Sequence, residues 1–183
     1  MDDLVIAAMA KWPNVPDCYG WLGLDARGRW FMRDDHAQQA GDFASGLLLA
    51  KGSELKHEKL VDFIGRNYAD DSHGQWFFQN GPQRVYVELQ ATPWVWRIET
   101  DYSIVSHTGL KVQFERAYLD ENGMLYFNTD KGFGLVHSQD VYMASQLMEE
   151  MGWELVDTTR DNLVKDFNYV MSPHKNLKMT ATK

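Results

Sequence analysis

Cysteine is all but missing from this chain. Cys18 is the only one in 183 residues, so no intramolecular disulfide can form and a disulfide-stapled secreted framework is excluded. Long apolar runs are missing too. The run Leu4 to Ala10 is too short to span a bilayer or to act as a full signal core. It also follows Met1-Asp2-Asp3, acidic where a signal peptide needs a basic region, so the expected location is the cytoplasm and no membrane contact is expected. Positive charge is short: 18 Lys and Arg face 26 Asp and Glu, for a net charge of −8. Phosphate attraction dominates nucleic-acid affinity, so nucleic acid is not an expected partner. Only residues 173–183, with Lys175, Lys178 and Lys183, are locally basic, and they read as a flexible tail.

Aromatic residues, by contrast, are plentiful, at 13% of the chain with seven Trp. Each large ring buries on the order of 150–250 Å², so a ring-dense core follows. A chain of this length buries roughly 70% of its unfolded surface, so it needs no metal or disulfide staple.

Residues 2–12 suit a short helix that Pro13 and Pro16 stop. Tyr19 to Leu24 and Arg29 to Arg33 read as strands around the turn Asp25-Ala26-Arg27-Gly28. Residues 34–52 carry no clear period. Ser53 is placed to cap a helix through Tyr68, with Leu60, Ile64 and Tyr68 on one face. The clearest hairpin joins Gln75–Gln79 to Gln83–Gln90 across Asn80-Gly81-Pro82, since Asn-Gly supplies the positive φ that tight hairpins need. Trp94 to Glu99 is a further strand, with Trp94, Trp96 and Ile98 on one face. Leu110 to Leu119 pairs with Met124 to Phe127 across Asp120-Glu121-Asn122-Gly123, and Phe133 to Val136 adds a strand. Ser138 to Gly152 and Thr159 to Met171 are helical, with a short strand, Trp153 to Val156, between them.

The pattern Asp-x-x-Gly-x-(Trp/Leu)-aromatic-apolar recurs at Asp25, Asp71 and Asp120. Short turns feeding aromatic strands converge on such residues, and a loose duplication produces them as well. The expected organisation is a single α+β domain over residues 1–172, mainly antiparallel hairpin-rich sheet or sheets packed against three to four helices. Residues 15–90 and 110–172 are also readable as two loosely related strand–strand–helix–strand halves.

Two stretches, Trp12-Pro13-Asn14-Val15-Pro16-Asp17-Cys18-Tyr19-Gly20-Trp21 and Phe63 to Arg97 with its Gln79-Asn80-Gly81-Pro82-Gln83-Arg84 centre, resemble an uncharacterised family of small proteobacterial cytoplasmic proteins. The resemblance covers most of the chain and implies a bacterial cytoplasmic protein of unknown function. It carries over no functional residue.

No motif of known chemistry is present. Cys18 lacks a local hydrolase signature, and the neighbouring Asp17 opposes thiolate formation, so it reads as a small buried hydrophobe. The six His are scattered with no two at i, i+3 or i+4, and no metal or cofactor is expected. His137 stands before the helix start Ser138-Gln139-Asp140, where free backbone amides suit an anion, although such a start is ordinary. The paired carboxylates Asp34-Asp35, Asp70-Asp71 and Glu149-Glu150 read as solvated turns or helix faces.

The sheet around residues 76–98 carries most of the functional weight. Trp76, Tyr86, Trp94 and Trp96 beside Arg84 and Arg97 are the residue types that anchor interfaces and small-molecule pockets. The leading expectation is a non-enzymatic protein that binds a protein or small-molecule partner through this aromatic and Arg surface, with at least one of Tyr86, Trp94 and Trp96 exposed. The alternative is a small enzyme with a site near Cys18 and His137. The oligomeric state is left open.

Overall fold

The computed structural model describes residues 1–181. Lys183, in the basic tail, lies outside them, and of Lys178 only the backbone is described. The chain forms two compact units.

The first comprises Met1–Asp25, Arg29–Ala91 and the segment from Val170 onward. Its elements begin with α1 (Asp3–Lys11), β1 (Cys18–Leu24) and β2 (Trp30–Met32). Next come α2 (Asp35–Ala40), α3 (Leu48–Lys51), β3 (Ser53–Glu54) and α4 (Glu58–Arg66). β4 (Tyr68–Asp70), β5 (Trp76–Asn80) and β6 (Gln83–Leu89) complete the sheet. The order is β3-β2-β1-β6-β5-β4, two antiparallel meanders joined where β6 runs parallel to β1.

The second unit holds Ala26–Gly28 and Thr92–Tyr169. Its strands are β7 (Trp94–Ile98), β8 (Ile104–Ser106), β9 (Lys111–Val112), β10 (Phe114–Leu119), β11 (Leu125–Thr129) and β12 (Gly132–Val136). After α5 (Val141–Met151), β13 (Leu155–Asp157) and α6 (Arg160–Asp166), the chain returns to the first unit with α7 (Pro173–Ala181). The sheet order is β13-β10-β11-β12-β7-β8-β9. Apart from β13 this repeats the plan of the first sheet: two meanders, with the last strand of the second parallel to the first strand of the first.

The fold is therefore α+β, built on hairpins, and each sheet is mixed because these central pairs are parallel. The expected hairpin is present, with Asn80 paired to Gln83, which makes Gly81-Pro82 the two-residue turn. Gly81 has φ +58°, where a side chain would be strained.

Four expected helices are present, each shorter than expected. The helix expected from Ser53 begins at Glu58, because Ser53 pairs with Met32 in the sheet. Tyr68 is likewise a strand residue, paired with Phe78; of that expected face Ile64 and Tyr68 are buried and Leu60 is exposed. Thr159 caps α6 as its hydroxyl accepts from the Asn162 amide, but this helix ends at Asp166. Beyond it Phe167 stacks on Phe133 at 4.0 Å.

Buried polar groups fix several elements. Arg33, 2% exposed, donates to the carbonyls of Ala50, Gly20 and Gly41. Glu88, 3% exposed, accepts from the Ser172 hydroxyl at 2.5 Å and from the His174 amide at 3.1 Å, which ties the start of α7 to β6. Among the described residues no helix is long and apolar enough to cross a membrane.

Candidate functional site

The residues expected to form one aromatic and Arg surface fall in both units. Trp76, Arg84 and Tyr86 belong to the first; Trp94, Trp96, Arg97 and His137 belong to the second.

The expectation of an exposed ring is corrected by burial: Tyr86 is 3% exposed, Trp94 5% and Trp96 0%. Alternation assumed one wet face, but Val95, between the two Trp and pointing the other way, is also 0% exposed. Both faces of β7 are therefore covered. Trp96 donates its indole N–H to the Phe127 carbonyl at 2.9 Å and stacks with Trp94. Arg97 is exposed but pairs with the Asp140 carboxylate, which also accepts the Ile98 amide.

His137 is buried, and its Nδ1 accepts the Gln139 amide at 3.2 Å. The ring thus accepts a backbone amide within the turn that precedes α5. Cys18 is half-buried in the first unit, and burial pushes its thiol up, against thiolate formation. Among the described residues no group of His, Cys, Asp and Glu is arranged to hold a metal.

A concave site forms in the first unit around Arg84. α1 ends where the Trp12 amide donates to the Ala8 carbonyl, and Pro13 and Pro16 then force an extended connection. The Gln83 side chain, next to the hairpin turn, donates to the Pro16 carbonyl at 2.9 Å and ties the two segments together. Between them lies an open groove of about 290 Å³, lined by Met9, Trp12, Pro13, Pro82, Asp17 and Arg84.

Arg84 is preorganised. Its guanidinium lies over the Phe77 ring, 4.6 Å from its centre, and that ring packs edge-on against Tyr86. Tyr86 is in turn stacked on Tyr19 at 4.5 Å and donates to Asp71. Burial pushes the Tyr86 hydroxyl up to about 12, with Asp71 and Tyr19 adding to the shift and Arg84 opposing it.

Neither Arg84 nor Asp17 joins an ion pair among the described residues. Trp12, 51% exposed, supplies the apolar wall between α1 and the prolines. Sequence reasoning singled out Arg84 but missed Trp12 and Asp17. The signal available for them was a large ring and a carboxylate bracketing two prolines, outside any strand.

The second unit has a wider, open groove of about 540 Å³, lined by Tyr102, Lys111, Val112, Phe114, Met151 and Trp153. Phe114 and Trp153 are stacked there at 3.5 Å. Tyr102, at the turn after β7, has φ +61°, a rare conformation for a residue with a large side chain.

Residues 1–181 match the family described as Protein of unknown function (DUF2946). No curated protein matches the chain. Among solved structures, a DUF1285 family protein from Shewanella baltica OS155 is similar at 13% identity and TM-score 0.45, over 69% of this chain and 91% of that one. A DUF1285 family protein from Silicibacter pomeroyi DSS-3 is similar at 12% identity and TM-score 0.45, over 80% and 85%.

Proposed function

We propose that this chain, which belongs to the DUF2946 family of proteins of unknown function, works in the bacterial cytoplasm by binding a small carboxylate-bearing ligand rather than by catalysis. The binding surface is the Arg84 groove of the first unit.

One observation carries this reading. A guanidinium held over the Phe77 ring, without a carboxylate partner among the described residues, lines a groove beside an exposed Trp. A planar guanidinium binds carboxylates by two parallel hydrogen bonds, and prior ordering reduces the entropy lost on binding. The enzyme alternative has less behind it. The Cys18 thiol is pushed away from thiolate, and the His137 Nδ1 is occupied by a backbone amide.

The test is a thermal-shift panel of small carboxylates, amino acids and phosphates against the wild type and Arg84→Ala. At least one carboxylate compound should raise the wild-type melting temperature, fail to raise that of the variant, and be recovered chemically unchanged. A panel in which no compound does so overturns the reading.

A further inference from the structure

We infer that the Arg84 groove takes a free zwitterionic α-amino acid with an apolar or aromatic side chain. In this arrangement Arg84 holds the α-carboxylate, Asp17 holds the α-ammonium, and Trp12 with Met9 and Pro13 covers the side chain. The inference rests on the groove being a binding site, and it names the ligand class.

The argument is charge complementarity within one small space. Arg84 and Asp17 line the same groove of about 290 Å³ without joining each other or any third group in an ion pair among the described residues. Both also act on one phenol: burial pushes the Tyr19 hydroxyl up, Asp17 adds to that shift and Arg84 opposes it.

A ligand with only a carboxylate would satisfy Arg84 and meet repulsion from Asp17. A ligand with only an ammonium would meet the reverse. Two like or unlike charges read together discriminate more than either alone, because the wrong ligand is actively rejected. A free amino acid carries both groups on one carbon. A polypeptide terminus carries one of them, since the other is consumed in the peptide bond. The volume is at the small end of ligand sites, which run from roughly 300 to 1,000 Å³, and so suits one residue rather than a peptide. An exposed indole and a thioether beside prolines give the side chain an apolar wall.

The experiment titrates the full chain with L-phenylalanine, N-acetyl-L-phenylalanine and L-phenylalanine amide. The signal is the Trp12 indole N–H in ¹H–¹⁵N spectra, assigned by its loss in Trp12→Phe. Acetylation and amidation should each weaken binding about tenfold or more. The substitutions should match the groups: Arg84→Ala weakens phenylalanine strongly but relieves the repulsion on the amide and strengthens it, and Asp17→Asn weakens phenylalanine but strengthens the N-acetyl form. Arg84→Lys keeps the charge while losing the fork, and should fall between. Melting temperatures of the variants check that each is folded.

If N-acetyl-phenylalanine binds as tightly as phenylalanine and depends on Arg84, the zwitterion inference fails while the carboxylate-binding reading stands. If neither compound, nor any carboxylate in the wider panel, shifts the Trp12 signal, both fall.

Discussion

Tyr126 donates its hydroxyl to Oδ2 of Asp120 at 2.9 Å, while Oδ1 of the same carboxylate accepts the Asn122 and Met124 amides at 2.9 Å each. One carboxylate thereby fixes both the turn and the strand after it. Tyr86 and Asp71 repeat the relationship: Oδ2 accepts the phenol at 3.1 Å and Oδ1 accepts the His73 and Gln75 amides. At the third Asp-x-x-Gly turn the Arg29 side chain takes the place of the phenol on Asp25 Oδ2. Gly28, Gly74 and Gly123 all have φ between 74° and 76°, which explains the shared glycine. Ser106 builds a fourth such turn, its hydroxyl oxygen accepting the Thr108 and Leu110 amides.

Tyr126→Phe should therefore destabilise the protein by about 1–3 kcal/mol, because it leaves buried Asp120 Oδ2 without its donor. Chemical denaturation of the two proteins measures the difference. A change within error would mean that the turn amides alone hold Asp120.

The Asp71–Tyr86 pair sets a pH window. Burial works against the Asp71 carboxylate, but the Gln75 and His73 amides, the Gln75 side chain and the Tyr86 phenol hold its pKa below the ordinary 3.8. A folded pKa below the unfolded one means stability present above the ordinary value and lost as pH falls through the folded one. Tyr86 shifts the other way, so its contribution is present below the ordinary value of 10 and lost as pH rises through about 12. Denaturation midpoints against pH should show a shallower acid limb in Asp71→Asn and a shallower alkaline limb in Tyr86→Phe. Limbs identical to wild type would refute the assignment.

At the β5–β6 turn, Gly81→Val should cost about 1–3 kcal/mol, because Gly81 adopts φ +58° and a β-branched residue does not. Space is not the obstacle, since an added Cβ would have Ala8 as its nearest neighbour at an ordinary 3.9 Å. Gly81→Asn, which tolerates the left-handed region better, should recover part of the loss in the same melts.

Trp94→Ala and Trp96→Ala should each cost about 3–5 kcal/mol of stability, as core rings do. Thermal melts decide this directly. A melting temperature unchanged by either substitution would return that ring to the list of surface anchors.

The hairpins were legible because their signals are local. Asn80-Gly81 and the three Asp-x-x-Gly turns carry their own conformational reasons, and the strands follow from them. The helix start at Ser53 was misplaced because a two-residue pairing with β2 claims that segment, and nothing near Ser53 announces it. The parallel pairings of β1 with β6 and β7 with β12 join distant residues and leave no local trace. Alternation along Trp94-Val95-Trp96 points to one dry face and one wet face, whereas all three residues are buried. Arg84 was legible by residue type. Its groove was not, because Trp12 and Asp17 reach it through a contact between positions 16 and 83.

The tie between Glu88 and the start of α7 has a consequence for biosynthesis. All six strands of the first sheet have been translated by Leu89, but Ser172 follows Glu88 by 84 positions, after the whole second unit. At about 5–20 residues per second that interval is roughly 4–17 s. Throughout it, closing the sheet's face over Glu88 would bury a carboxylate with neither its hydroxyl nor its amide donor, which costs several kcal/mol. On the ribosome the first unit should therefore remain an unlatched sheet until Ser172 and His174 have emerged.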